Sequence, residues 1–261
     1  MATKKKVELT EEELEEIRNY NGERRIKFFF FTELLGSCPS DPEVYREYIA
    51  SKEPNSPTIE EEASMLPTEE VIEKGRTVFL RRKSGSDAGK PCIASYTILG
   101  FQKEKSKYLK NETNTSLKFK DFTNYKQKID GNYAIDLPFI TLNIPEGEEL
   151  GICERPLRAE TAKGARVALS SSESCPPGTT CEFNINIFAK EFMKYAMACF
   201  HKGFWNGMCQ WRSGGKGRFL FEAYDSEGNM LDGNTKKYVG CTSEDKDWSN
   251  KFNQFLDRYR I

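Results

Sequence analysis

Every second side chain is apolar between residues 181 and 187, and this is the clearest alternation in the chain. A period of two places successive side chains on opposite faces of a strand, so we predict a half-buried β-strand. Residues 24–32 include four consecutive phenylalanines and form a short aromatic run, which favours a buried central strand over a helix. Further strands are predicted at 218–224 and, interrupted by a proline, at 133–144.

Helical patterns occur in several places. Residues 190–200 form an amphipathic pattern, a helix is predicted through residue 109 after a short extended segment at 93–97, and residues 247–259 are also helical in pattern. Thr10 is predicted to cap a helix near the beginning of the chain, with Glu13 three residues later. Asp41 is predicted to cap another, because Pro42 suits a first helical position.

Without the insertions, the predicted order is β-α-β-β-α-β, which is the ferredoxin-like arrangement also used by readers of single-stranded RNA. We therefore expect an α+β fold with a ferredoxin-like/RRM-like core, an insertion subdomain and helical termini. A single domain is predicted over 1–261. Residues 38–92 would form the insertion and residues 225–261 a C-terminal extension.

Composition restricts the class of protein. Hydrophobic residues make up 38% of the chain, which suffices for a core, and no apolar run approaches the roughly 20 residues of a membrane-spanning helix. We expect a cytoplasmic protein. The eight cysteines form no C-x-x-C pair and His201 is the only histidine, so we expect no structural zinc. A disulfide framework is possible by count, but free thiols are the better interpretation.

Charge is distributed unevenly, although the net charge is −1. Residues 1–73 carry 9 basic and 18 acidic side chains, whereas residues 74–128 carry 14 basic and 4 acidic ones. The basic block would attract phosphate backbones. An ordinary solvated surface rich in lysine explains it equally well, and both interpretations stay open at this point.

A Gly-rich stretch follows Trp211. It combines three glycines with three cations: Gly214, Gly215 and Gly217 with Arg212, Lys216 and Arg218. Glycine lets the backbone approach a ligand closely, and glycine with cations is what a phosphate-cradling loop needs. The stretch leads into a strand, whereas Walker-type and Rossmann loops lead into a helix, which argues against a nucleotide triphosphate site. The alternative is a glycine turn flanked by solubilising charges.

Two more stretches are basic. One is a predicted loop with the cations Arg155, Arg158, Lys163 and Arg166, and the other is a predicted helix with Lys103, Lys105 and Lys107. Such a loop can follow a phosphate backbone, or it can be plain surface. On a helix the first and third lysines share a face and the second points elsewhere. Nearby aromatic rings are candidates for stacking on bases, namely Phe101, Phe204 and Trp211.

These stretches, in this order, resemble the RAMP superfamily, the RNA-binding backbone proteins of CRISPR effector complexes. A first strand leads to a Gly loop at 28–36, and residues 98–103 are similar to the family's Ile-Pro-Gly-Ser-Ser segment and its lysine. Here Leu99 replaces Pro, and Phe-Gln replaces Ser-Ser. The turn at 176–179 and the Gly-rich stretch at 214–219 complete a resemblance that spans residues 24–224.

The resemblance implies a protein that binds guide or other single-stranded RNA. We expect neither a cofactor nor a metal. The resemblance also implies a thumb-like role for residues 38–92, and as partner a CRISPR-type ribonucleoprotein or a filament of the protein itself. Some members of the family cut RNA with an aspartate, for which Asp41 is the candidate, but its role as a helix cap is the stronger interpretation. His201 lies away from the first strand and is interpreted as structural.

We therefore expect a non-catalytic protein that binds RNA or single-stranded DNA. The chain also looks like small phage proteins, and the alternative is a phage-type interaction protein that inhibits a host nucleic-acid-guided defence by mimicking a backbone subunit. A metal-dependent nuclease needs clustered carboxylates, and none is evident near the basic stretches.

Overall fold

The computed structural model describes residues 20–44, 76–111, 124–161 and 164–259, together with residues 10, 15, 47 and 66. Side chains are described over these ranges except at 110–111, 157–161 and 164–168. The helix predicted after Thr10 and most of the 38–92 insertion lie outside the described residues. Within the described part of the chain, no helix is both long and apolar enough to cross a membrane.

The described strands and helices follow one another along the chain as a mixed α+β architecture. The strands are β1 (Glu23–Phe30), β2 (Leu34–Leu35), β3 (Cys38–Pro39), β4 (Thr77–Val78), β5 (Leu80–Arg81), β6 (Pro91–Ala94), β7 (Tyr133–Ile135), β8 (Phe139–Thr141), β9 (Gly151–Thr161), β10 (Gly164–Cys175), β11 (Thr180–Ile187), β12 (Phe219–Tyr224) and β13 (Met230–Gly233). The helices are α1 (Ser95–Asn111), α2 (Tyr125–Asn132), α3 (Lys190–His201), α4 (Thr235–Tyr238) and α5 (Trp248–Asp257).

The main sheet has five strands in the order β13-β12-β1-β11-β7, and all neighbours are antiparallel. β1 is central, because Ile26 pairs with Phe183 of β11 on one side and with Ala223 of β12 on the other. The prediction of a buried aromatic strand is confirmed. So are the strands predicted at 181–187 and 218–224 and the helix predicted at 190–200.

The four consecutive phenylalanines serve both faces of this sheet. Phe28 contacts Phe200 of α3, with ring centroids 5.3 Å apart. Phe29 points the other way and contacts Trp248 of α5, with centroids 4.7 Å apart. Because strand side chains alternate between faces, an unbroken apolar run is what a strand covered on both sides requires. The face opposite α5 is covered by α1 and α3, which also contact each other.

A buried carboxylate joins β12 to the C-terminal segment. Glu222 is fully buried and accepts hydrogen bonds from the hydroxyl of Tyr224 (2.6 Å), the hydroxyl of Thr235 (2.6 Å) and the N–H of Ser243 (2.8 Å). The Ser243 hydroxyl donates to it as well. These donors compensate the lost hydration of the carboxylate, so the residues after β12 are tied to the sheet.

Two further sheets lie beside the main one. One has the order β2-β10-β4-β3 with β9 added against β10, and the other has the order β5-β6-β8. The prediction of a loop around Arg155 is wrong, because β9 and β10 form a long hairpin there, with Arg155 opposite Ser170. Its strands expose Ile152 and Leu169, so no polar–apolar alternation marked them in the sequence.

Two other boundaries differ from the predictions. The strand predicted at 133–144 is two strands, β7 and β8, which belong to different sheets on either side of Pro138. α1 begins at Ser95, so the segment predicted to be extended at 93–97 is largely helical. The β-branched residues Thr97 and Ile98 favour strands by intrinsic propensity. Here packing decides, since Ile98 is fully buried in the core.

Candidate nucleic-acid interface

An exposed indole marks the segment between α3 and β12. Trp211 has φ of 52° and Cys209 has φ of 63°, a left-handed conformation that non-glycine residues rarely adopt. Two such residues within three positions indicate stored backbone strain, which proteins concentrate at functional sites. The ring of Trp211 lies at the surface, where 37% of the residue is exposed.

Gly214 makes the room for this ring. A Cβ atom at position 214 would lie 2.8 Å from Cδ1 of Trp211, and closer still to Nε1 and Cε2. Gly217 has φ of 67°, and its amide nitrogen donates to the carbonyl of Glu33 at 2.7 Å. The glycines are therefore required by the turn and by the close approach of the indole.

Two cations accompany the Trp211 ring. The guanidinium carbon of Arg155 lies 5.2 Å from the ring centroid, and Nζ of Lys216 lies 5.9 Å from it. Arg155 is buried and donates to Oγ of Ser172 at 3.3 Å and to Oε1 of Gln210 at 3.4 Å. Its Nε has no partner among the described atoms. Such a cation–π contact contributes about 0.5–1 kcal/mol at an exposed site, as at Lys216, and about 2 kcal/mol where the cation is desolvated, as at Arg155.

Two concave sites adjoin Trp211. We call the first the α1 cavity; it holds about 650 Å³ between α1 and the 206–213 segment, and its lining includes Glu104, Lys105, Tyr108, Gln210, Trp211 and Arg212. We call the second the glycine-side cavity; it holds about 550 Å³, and its lining includes Glu33, Glu148, Pro177, Trp211, Gly215 and Lys216.

The two cavities differ in charge. The lining of the α1 cavity contains two cations, Lys105 and Arg212, and one carboxylate, Glu104, which gives a net charge of +1. The glycine-side cavity has one cation, Lys216, and two carboxylates, Glu33 and Glu148, which gives −1. An anionic backbone is therefore attracted to the α1 side of Trp211 and repelled on the other side.

Internal ion pairs engage several of the predicted cations. Arg212 pairs with Glu104, Lys216 with Glu33, and Lys103 with Asp130 of α2. These pairs are partly exposed, and exposed pairs are worth little in water, so a phosphate can compete for the cations.

The backbone of the Gly-rich stretch faces inward. Its N–H groups donate to acceptors inside the protein: Gly214 to Trp211 O (3.0 Å), Gly215 to Arg212 O (3.0 Å), Lys216 to Trp211 O (3.3 Å), Gly217 to Glu33 O (2.7 Å) and Arg218 to Thr32 Oγ1 (2.9 Å). A phosphate cradle needs N–H groups that point outward. The expectation of a backbone cradle is thus wrong, because the turn uses these donors to close itself.

The three lysines of α1 separate as the helical period predicted. Lys107 is exposed and Lys103 is half-buried, whereas Lys105 is only 1% exposed. The ammonium group of Lys105 donates to Oε1 of Glu104 at 3.1 Å and lies 5.2 Å from the ring centroid of Phe101. Burial disfavours the charged form and lowers the pKa of Lys105 below its usual value of 10.5, with Glu104 opposing the shift.

The remaining basic residues belong to the β9–β10 hairpin. Arg158 and Arg166 lie in its two strands, and their side chains are outside the described part of the structure, as is all of Lys163. The structure therefore brings Arg155 and Lys216 to the ring of Trp211, places Arg212 in the lining of the α1 cavity, and leaves the other hairpin cations as a prediction.

The aromatic residues predicted to stack on bases differ in burial. Phe101 and Phe204 are buried in the core, so the expectation that they stack on bases is wrong. Tyr108 was missed, although it is 53% exposed and lines the α1 cavity. The signal was present in the sequence, since the predicted site residue Lys105 and Tyr108 are three residues apart and therefore neighbours on the helix surface.

The catalytic candidates have structural partners. Oδ1 of Asp41 accepts from the N–H groups of Glu43 (2.9 Å) and Val44 (3.4 Å), which confirms it as a helix cap. Nε2 of His201 lies 3.0 Å from Oδ1 of Asp232, and the His201 ring packs edge-on against Phe221. Among the described residues, no three His, Cys, Asp or Glu side chains lie together in a way that could hold a metal ion.

Comparison with known proteins gives structural neighbours only. No family model matches the chain, and no curated protein matches it. A chain of the Type III-B Cmr-beta complex bound to cognate target RNA is similar, with a TM-score of 0.41 and 10% identity over 84% of this chain and 62% of that one. The present chain therefore spans less than two thirds of that neighbour.

A chain of a Type IV-B CRISPR complex is similar as well. Its TM-score is 0.44 at 9% identity, over 85% of this chain and 100% of that one. The structural neighbours are thus subunits of CRISPR effector complexes.

Proposed function

We propose that this chain is a non-catalytic protein that binds single-stranded nucleic acid, foremost RNA, in the groove between α1 and the 206–213 segment. The observation that carries the proposal is Trp211. Its indole lies at the surface on a residue with left-handed backbone, packs against Gly214, and stands beside a cavity of net positive charge. A ring that only filled the core would need neither the strain nor the exposure.

The groove offers the two interactions that sequence-tolerant binding of single strands uses. A base stacks on an aromatic face, which is worth about 1–3 kcal/mol per base, and cations follow the backbone. Trp211 and Tyr108 supply exposed rings, and Arg212 supplies a partly exposed guanidinium. Gln210 lines the same cavity, where its amide can reach a base edge. The Gly-rich stretch contributes by shaping the turn that presents Trp211.

The architecture supports a relationship to the RAMP superfamily. Six elements follow in the order β1, α1, β7, β11, α3, β12, and four of their strands lie as β12-β1-β11-β7 in one antiparallel sheet. We propose that these elements are the ferredoxin-like/RRM-like core suggested by the sequence resemblance over 24–224. On this proposal residues 38–92 are the insertion and residues 225–261 the C-terminal extension. The partner is RNA within a CRISPR-type ribonucleoprotein.

The alternative of a phage-type inhibitor draws on the acidic block at residues 1–73. Much of that block lies outside the described residues. No contact in the described part of the chain favours the inhibitor alternative.

The proposal is tested by replacing the ring. Fluorescence anisotropy with a labelled single-stranded 20-mer RNA, in a series of salt concentrations, should show about 5-fold to 150-fold weaker binding for Trp211→Leu. Trp205→Leu is the matched control, because Trp205 is also exposed but does not line the α1 cavity. The proposal would be refuted if the wild type and Trp211→Leu bound RNA equally, or if the wild type did not bind at any salt concentration.

A further inference from the structure

We propose that Glu104 determines the ligand class of the α1 cavity, so that the cavity accepts one internal phosphodiester of a strand and not a terminal phosphate. The inference rests on the proposed function, because it concerns the same groove. It adds a specificity-determining residue that is neither basic nor aromatic.

Glu104 joins the two walls of the cavity. Its Oε1 accepts from Nζ of Lys105 at 3.1 Å, on the same helix, and its Oε2 accepts from Nη1 of Arg212 across the groove. The three side chains differ in exposure. Lys105 is almost fully buried, Glu104 is 27% exposed and Arg212 is 43% exposed.

This difference in exposure decides which of the two ion pairs of Glu104 breaks when a ligand binds. An ammonium without a counter-ion in a buried position is strongly unfavourable. Among the described residues, Glu104 is the only carboxylate that pairs with Lys105. Glu104 therefore stays with Lys105. The guanidinium of Arg212, which is the more exposed partner, turns from Glu104 to the phosphate.

Charge balance then selects the ligand. Lys105, Arg212 and Glu104 together carry one net positive charge, and an internal phosphodiester carries one negative charge, so the complex is neutral. A terminal phosphate carries about −1.5 to −2 at pH 7. It would bring an uncompensated negative charge next to the Glu104 carboxylate. The glycine-side cavity, with Glu33 and Glu148, offers no alternative place for it.

The experiment compares two labelled RNA tetranucleotides that differ only in a 5′-hydroxyl or a 5′-phosphate. We expect the wild type to bind both equally within twofold. Glu104→Gln should bind the 5′-hydroxyl strand about 5-fold to 10-fold more tightly, since a like charge near the phosphate is removed. It should also prefer the 5′-phosphate strand by at least threefold, and the slope of log K against log salt should steepen by about 0.7.

Two variants control for charge and for folding. Glu182→Gln makes the same change in net charge at an exposed ion pair with Arg25 (3.6 Å), away from the groove, and should behave as the wild type. The double variant Glu104→Gln/Lys105→Met removes the buried ammonium together with its partner and leaves Arg212 as the single cation. It should return to equal binding of the two strands.

The outcomes separate this inference from the proposed function. If Glu104→Gln and Glu182→Gln bind alike while Trp211→Leu loses affinity, the role of Glu104 is refuted and the proposed function stands. A wild type that already prefers the 5′-phosphate strand refutes it as well. If the melting temperature shows that Glu104→Gln is unfolded, the double variant decides: a 5′-phosphate preference in that variant overturns the inference.

Discussion

Gly214 offers a way to move the Trp211 ring without touching a charge. An alanine Cβ would lie 2.8 Å from Cδ1 of Trp211 and closer to Nε1 and Cε2, whereas unstrained carbon contacts are about 3.5–4.0 Å. The ring must therefore shift by about 1 Å. The backbone of Gly214 is not in the left-handed region, so alanine fits it, and the whole effect of Gly214→Ala comes from the ring.

The expected magnitudes follow from this overlap. Overpacking a closed core costs about 1–3 kcal/mol, and the half-exposed ring can swing outward, so we expect a stability loss of about 1 kcal/mol. Binding should suffer more. Loss of one stacked base corresponds to about 1–3 kcal/mol, or about 5-fold to 150-fold in affinity. The ring also leaves Arg155, now 5.2 Å from its centroid.

The assay pairs RNA anisotropy with iodide quenching of tryptophan fluorescence. Gly214→Ala should bind RNA more weakly and be quenched more readily than the wild type. Gly131→Ala is the matched control, because no atom lies within 4 Å of its new methyl group and the position is in α2. Wild-type affinity in Gly214→Ala, together with increased quenching, would refute the reasoning, since the ring would have moved without consequence.

Three further predictions concern stability and thiol chemistry. Glu222→Gln places an N–H donor among three hydroxyls and an N–H group and should lower the free energy of unfolding in urea by about 3 kcal/mol. Glu182→Gln should change it by no more than about 0.5 kcal/mol. Equal losses would contradict the stabilising role of the Glu222 carboxylate. The pKa of Lys105 is lower in the folded than in the unfolded state, so the unfolded state binds the extra proton between that lowered pKa and 10.5. The free energy of unfolding of the wild type relative to Lys105→Met should therefore rise with pH in this window. A difference between the two proteins that does not change with pH in urea titrations would contradict the prediction. Burial raises the pKa of the thiols of Cys92 and Cys199 to about 12. Mass spectrometry should find them unreacted with iodoacetamide at pH 8 until urea is added; native alkylation at the unfolded rate would contradict this.

Elements with strong local patterns could be predicted from the sequence. The central strand β1, the alternating strand β11 and the amphipathic helix α3 all lie where the hydrophobic period placed them, because each must bury a continuous face in the core. Asp41 could be predicted as a cap for a similar reason, since its hydrogen bonds reach only two and three residues along the chain.

Elements without a regular apolar–polar pattern could not be predicted. The β9–β10 hairpin owes its existence to a long ladder between its own two strands, and its exposed Ile152 and Leu169 leave no alternation to detect. The start of α1 was hidden as well. Thr97 and Ile98 favour strands in isolation, and the burial of Ile98 in the core accompanies their helical conformation.

The sequence by itself determined that glycines, cations and a tryptophan meet in residues 211–218. Tertiary structure alone decided their chemistry. Arg212 pairs with Glu104, 108 residues away, and Lys216 pairs with Glu33, 183 residues away. In each pair the charges cancel, so Lys105 leaves the α1 side of Trp211 with a net charge of +1 and Glu148 leaves the other side with −1. A sequence counts charges, but which charges share a cavity depends on distances of a few ångströms, and only the folded chain defines those distances.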